Sequence, residues 1–279
     1  MNGARTADLG VFDGRLAVFG GPYNNHVALR AVLTDARRRG AERVVCLGDL
    51  GGFGPNPGKI YPLLEEFGVV TIAGNYDRSL AERLADCGCG YTHPADNHFA
   101  QLSYDYTNRR TTDAERARLW ALPSEARMIR AKRRWLFCHG SPRRVNEFLW
   151  ESGCSDAFLE RLARDAEADQ VLCSHTGLHW QRRLPSGAAF VNVGAVGRPA
   201  NDGDPAVHYA FFGSGAAGAS AAGGAAEAEF VRVAYDHEAL ALEMEEEGLP
   251  PEFVETIRTG WWTTCLEILP AKERARGRF

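Results

Sequence analysis

Asp49, Asn75, His139 and His175 each stand one or two residues beyond a short apolar run. The runs are Val44-Val45-Cys46-Leu47, Val69-Val70-Thr71-Ile72-Ala73, Trp135-Leu136-Phe137-Cys138 and Val171-Leu172-Cys173. Runs of this length, dense in Val, Leu and Phe, read as buried strands. A carboxylate, an amide and two imidazoles at strand ends would line one rim of a sheet, where open α/β sheets bind their ligands. Such a mixed oxygen and nitrogen set suits a borderline divalent cation: manganese, zinc or iron. Any one of these residues alone reads as a turn or cap. The ordered set of four points to metal binding.

The elements that must position them alternate through the first two-thirds of the chain. Strands are expected at 15–19, 44–47 and 69–73, with helices at 26–39, 58–67 and near 79–85. A long irregular stretch, 86–110, precedes a helix at 112–122. Further strands at Trp135, Val171 and Phe190 enclose a helix near 156–168. This alternation implies an α/β layered fold. From Val207 two strands, 207–212 and 229–234, follow without a helix between them, joined by a flexible Gly/Ala-rich loop at 213–228. Helices at 236–247 and 251–258 close the chain, the second bounded by Pro251 and Gly260. A charged, loose tail is expected at 272–279. The whole of 1–279 reads as a single domain.

Hydrophobic content of 45% and charged content of 24% are those of a soluble globular chain. A net charge of −4 supplies no global positive field, so neither nucleic acid nor an anionic membrane is the expected partner. Residues 1–14 hold no apolar stretch of the signal-peptide kind, and no segment has the length of a membrane span. The seven cysteines argue against a disulfide framework, because Cys46, Cys138 and Cys173 lie inside expected strands. A cytoplasmic location is the expectation. Cys87-Gly88-Cys89 reads as a glycine-rich turn carrying two thiols near the site entrance.

Taken together the motifs resemble the calcineurin-like metallophosphoesterases, in particular their small bacterial phosphodiesterase-like branch. The resemblance rests on Gly48-Asp49 with Gly54-Pro55-Asn56-Pro57, on Gly74-Asn75-Tyr76-Asp77, His139-Gly140-Ser141-Pro142 and Ser174-His175-Thr176. It continues through Asn192-Val193-Gly194-Ala195-Val196-Gly197-Arg198-Pro199, Tyr235-Asp236 and Gly248-Leu249-Pro250. It implies a four-layer α-β-β-α sandwich with two metal ions at the strand ends. It also implies hydrolysis of phosphate mono- or diesters by a metal-bridging hydroxide. The departures are specific. Gly21 stands where the family has its first Asp, Tyr23 where it has a His, and Gly177 where it has a second His. These positions would have formed the first metal site with Asp49. The ligands of the second, Asp49, Asn75, His139 and His175, are all retained.

The resemblance also implies catalytic positions. Tyr76 replaces the family's leaving-group His, with Asp77 retained to orient it; a phenol with a pKa near 10 is a weaker acid catalyst at neutrality. Tyr23, Asn24 and Arg143 are candidates to contact substrate. The blander readings are that Tyr23 fills the vacated first site, Asn24 shapes its turn and Arg143 belongs to a solvated loop. His179 reads as a core or surface histidine, or as a replacement for the lost ligand. Trp261-Trp262 reads as packing for the last helix. The expected function is a metal-dependent phosphoesterase with one well-held divalent ion and a small phosphorylated substrate. The alternatives are a metal-binding scaffold without catalysis, or a repurposed mononuclear enzyme. The oligomeric state is left open.

Overall fold

Alternation along the strands sorts the apolar side chains of this chain into separate cores. The computed structural model describes residues 5–214 and 227–277. Strands β1 (Thr6–Val11), β2 (Leu16–Phe19), β3 (Arg43–Cys46) and β4 (Val70–Thr71) are interleaved with helices α1 (His26–Arg38), α2 (Ile60–Glu66) and α3 (Asn75–Glu82). Helices α4 (Pro94–Arg110) and α5 (Asp113–Ala121) lead to β5 (Glu125–Arg130) and β6 (Arg133–Phe137). Next come α6 (Asp156–Asp165), β7 (Gln170–Cys173), β8 (His179–Arg183) and β9 (Ala189–Val193). The described chain closes with β10 (Val207–Phe212), β11 (Glu229–Val233), α7 (His237–Glu246), α8 (Pro251–Thr259) and α9 (Ala271–Arg274).

Two sheets result, one ordered β1-β5-β6-β7-β9-β8 and the other β11-β10-β2-β3-β4. The runs β6-β7-β9 and β2-β3-β4 within them are parallel. Successive side chains on a strand point to opposite faces. Leu16, Val18, Val45 and Leu47 of one sheet therefore meet Trp135, Phe137, Leu172 and Val191 of the other in a shared inner core. On the outer face of the second sheet, Ala17, Phe19 and Cys46 pack on Leu29, Val32 and Leu33 of α1. Leu136, Cys138 and Val171 likewise pack on Leu159 and Leu162 of α6. The fold is a mixed α/β sandwich of two sheets flanked by helices, and the strand ends of both sheets open on one rim.

Several elements depart from the sequence expectation. The stretch 86–110 is not irregular throughout: α4 occupies Pro94–Arg110, started by Pro at its first position. The strands β1, β5 and β8 are additional, two of them edge strands. Asn75, Tyr76 and Asp77 form the first turn of α3 rather than a loop before it. The tail is not wholly loose, since the one-turn helix α9 carries the buried Glu273, which accepts the backbone N–H of Ser152 at 2.8 Å. Within the expected Gly/Ala loop, 215–226 lie outside the described residues. Among the described residues, no helix is long and apolar enough to cross a membrane.

Candidate metal centre

The turn after β3 and the turn before α3 are packed backbone to backbone, which only glycine allows. A β-carbon on Gly48 would stand 2.8 Å from Gly74 Cα, and one on Gly74 would stand 2.7 Å from the Asp49 nitrogen. Asp77 ties the turns together. Its fully buried carboxylate accepts the backbone N–H of Asp49 (2.7 Å), Leu50 (2.9 Å) and Gly74 (2.8 Å). Burial, then the Asp49 charge, pushes its pKa up to about 6 against those donors. Asp49 is in turn oriented by accepting the Tyr76 N–H at 3.0 Å. The expected Tyr76–Asp77 couple is not formed. Asp77 is committed to backbone amides, while the Tyr76 hydroxyl sits 3.2 Å from Ser103 Oγ and donates to Thr107 Oγ1.

His139 and His175 reach the same point from the ends of β6 and β7. Carbonyl oxygens can only accept, so they fix each ring's orientation. His139 Nδ1 donates to Leu47 O at 2.7 Å and His175 Nε2 donates to Cys89 O at 3.1 Å. The remaining nitrogens, His139 Nε2 and His175 Nδ1, face each other at 3.0 Å, and His139 Nε2 lies 3.1 Å from Asp49 Oδ2. All three ligand atoms fall within 4.8 Å of one another. Two ring nitrogens and a carboxylate at this separation need a positive particle between them, either a proton or a cation. Burial opposes charge on His139, yet Asp49 raises its pKa overall; burial and then the His139 charge push His175 down to about 3.

Asn75 is the fourth expected ligand. Its Nδ2 donates to Cys87 O at 2.9 Å and to Cys89 Sγ at 3.5 Å, and its buried Oδ1 has no hydrogen-bond partner. An orphaned buried carbonyl is costly, and a cation would satisfy it. The donor set, the tautomers fixed from outside and the orphaned oxygen all fit a divalent metal.

The other expected residues divide. Tyr23, at φ 46°, lines the cleft beside Asp49, and its ring lies on Gly21. Gly177 faces Trp262, whose ring atoms would stand 3.4 Å from a β-carbon there. An aromatic ring thus lies against each of Gly21 and Gly177. Asn24 is fully buried and shapes its turn, donating to Gly54 O (3.0 Å) and Thr107 Oγ1 (3.1 Å). Arg143 lies outside the cleft, half-exposed on Glu147 at 2.8 Å, so no geometry supports its expected contact with substrate. His179 is part-buried, its ring tilted against His208 at 4.4 Å and Phe230 at 4.7 Å between centroids. Cys87 and Cys89 are joined as a disulfide rather than standing as two thiols, and the Cys89 carbonyl props His175. Cys46, Cys138 and Cys173 are buried free thiols in the cores.

One group in the cleft has no counterpart among the expected site residues. Arg198 lines the same cleft as Tyr23, Asp49 and His175 and is 8% exposed. Its place in the Gly197-Arg198-Pro199 turn was the available sequence signal. Trp262, read as packing, is also a wall of the cleft.

Comparisons with known proteins agree with this geometry. The metallophosphoesterase from Sphaerobacter thermophilus superposes with a TM-score of 0.66 at 26% identity, covering 88% of this chain and 99% of that one. The hypothetical protein PH1004 from Pyrococcus horikoshii shares the fold with a TM-score of 0.72 at 19% identity, covering 89% and 99%. A 62-residue segment is 37% identical to the uncharacterized protein MJ0912 of Methanocaldococcus jannaschii, spanning 22% of this chain and 26% of that protein. Residues 22–213 match the calcineurin-like phosphoesterase superfamily domain, and the chain belongs to that family.

Proposed function

We propose that this protein hydrolyses phosphate mono- or diesters of a small substrate at a site with one well-held divalent ion, manganese, zinc or iron. The observation that carries this reading is the convergence of the Asp49, His139 and His175 ligand atoms on one another; the buried Asn75 Oδ1, left without a hydrogen-bond partner, is the further oxygen that supports it. A bound divalent ion supplies Lewis-acid charge and lowers the pKa of water. The chain's own residues hold the ligands rigid: Leu47 and Cys89 carbonyls fix the two imidazoles, and Asp77 fixes the turns that carry Asp49 and Asn75. Tyr23 and Tyr76 are both pushed above the usual phenol range, chiefly by burial, so they act as neutral hydrogen-bond donors rather than as proton shuttles. The cleft beside the ligands is walled by Tyr23, Phe53, Phe99, Phe148 and Trp150, rings that would limit water around a bound phosphate.

The test is metal analysis of the purified full chain, followed by turnover of 4-nitrophenyl phosphate and bis(4-nitrophenyl) phosphate with added manganese, zinc or iron. About one metal per chain with turnover of either ester is the expected result. Metal without turnover of any phosphate ester would remove the hydrolase reading. Neither metal nor turnover would remove both parts.

A further inference from the structure

Arg198 is a buried cation without a counter-charge. Its Nη2 donates to Thr264 O at 2.6 Å and Thr264 Oγ1 at 3.2 Å, while its Nε has no partner. Among the described residues no carboxylate forms an ion pair with it. The groups that act on it electrostatically are Cys265, which also hydrogen-bonds its side chain, Tyr91 and Tyr23, and burial pushes the pKa of all three up. Its guanidinium is clamped between rings, 4.0 Å from the Trp262 centroid and 5.1 Å from that of Phe53. Burying a charge is costly unless an opposite charge answers it. Stacking recovers part of that cost and fixes the plane of the fork.

The position matters as much as the chemistry. Trp262, which carries Arg198 on its face, is the ring that fills the space at Gly177. Tyr23, the ring on Gly21, lines the same cleft as Asp49 and Arg198 and feels the charge of both. The guanidinium therefore adjoins the place where the lost ligands would have held a second cation.

We infer that Arg198 takes over the charge of that missing cation, binding an anionic oxygen of the substrate's phosphate, in a cleft that selects esters carrying a planar apolar group. A guanidinium matches phosphate oxygens with its fork. The walls, which include Phe99, Phe148, Trp150 and Phe253, offer ring faces to a planar substituent; Phe148 and Trp150 already stack at an interplanar angle of 3°. This inference rests on the phosphoesterase reading for the identity of the anion, but its test does not require turnover.

The experiment titrates inorganic phosphate into the metal-loaded full chain by calorimetry, comparing wild type with Arg198→Met and Arg198→Gln, with metal content measured on each. Phosphate affinity is expected to fall about 10- to 100-fold in both variants at unchanged metal content. Unchanged affinity in a folded variant overturns the inference. Should neither variant fold, the Arg198 Nε–H resonance of the wild-type protein decides. It is expected to shift on addition of phosphate, and a resonance that stays put overturns the inference. Phenyl phosphate is expected to bind about tenfold tighter than methyl phosphate; equal affinities remove the planar-group part. Arg198-dependent phosphate binding without ester turnover would leave this site standing and sink the hydrolase reading. Turnover in Arg198→Met with wild-type KM and phosphate affinity would do the reverse.

Discussion

The phenol ring of Tyr23 lies against the α-carbon of Gly21, so that a β-carbon on Gly21 would stand 2.5 Å from Tyr23 Cζ and 2.9 Å from its hydroxyl oxygen. Gly21 and Tyr23, two positions at which the sequence departs from the pattern it resembles, are therefore coupled through one contact. Tyr23 occupies the space that an Asp at 21 would need, and Gly21, at φ 23°, has the backbone conformation that glycine tolerates best.

Restoring the first ligand alone should accordingly fail. Gly21→Asp is expected to destabilise the protein by about 1–3 kcal/mol through overpacking, while leaving metal at the His139 site. Combined with Tyr23→His, the cost should be smaller than the sum of the single costs by about 0.5–3 kcal/mol. A double-mutant cycle by denaturant unfolding reads this directly. Strict additivity would mean that the two positions do not share the space.

The ligand set makes a sharper demand. His139→Ala and His175→Ala should each lose most of the bound metal, and Asn75→Ala should weaken it by removing the amide oxygen. Arg143→Ala should leave metal content and phosphate binding unchanged, since its guanidinium is held by Glu147 at the surface. Elemental analysis after dialysis checks all four variants. Stoichiometric metal in both histidine variants would overturn the assignment.

Asp77 should behave as a structural residue whose loss reaches the metal indirectly. Asp77→Asn keeps the shape but points an N–H₂ group at a backbone N–H that needs an acceptor. A loss of about 1–3 kcal/mol is expected for the unsatisfied group, with weaker metal binding because the Asp49 and Asn75 turns separate. Thermal denaturation and metal titration measure the two effects. Lost turnover with an unchanged Tm would instead make Asp77 a direct participant in the chemistry.

The part-buried His179–His208 pair should contribute to acid sensitivity, alongside the buried His175. Burial and then the His208 charge hold His179 down to about 4, with Asp202 opposing, and burial holds His208 below its usual value too. Above an unfolded-state pKa near 6.5 both are neutral in either state, and stability is unaffected. As pH falls from there towards 4, the unfolded chain takes up protons that the native pair resists, so stability is lost. His179→Phe should flatten this part of the Tm-versus-pH curve relative to wild type. Parallel curves for the two proteins would show that the pair does not contribute.

The sequence made the central strands readable because β3, β6 and β7 each end in a buried apolar run: Val44-Val45-Cys46, Trp135-Leu136-Phe137 and Val171-Leu172-Cys173. It concealed α4, whose buried face is Ser103, Tyr104, Tyr106 and Thr107 rather than an apolar stripe. It also concealed β1, largely exposed at a sheet edge, and β8, whose run His-Trp-Gln-Arg-Arg has little apolar content. The four ligands were readable because each follows a strand at short range. Arg198 was not, because its meaning depends on Trp262 and Thr264, which only the folded chain brings to it. The contacts of Asp77 were hidden for a similar reason: its partners are backbone groups, which carry no residue signature.

His139 leaves one sheet and anchors its ring on the Leu47 carbonyl of the other, while Asp49 continues the strand that ends there. A cation held by both would act as a fastener between the two halves of the sandwich. Its occupancy would then be thermodynamically linked to closure of the layers, so that metal binding to the native state alone raises the free energy of unfolding with metal concentration. Chelation should be felt as loosening along the rim, in faster amide exchange at the ends of β3 and β6, well before the inner core of Trp135 and Val45 is exposed.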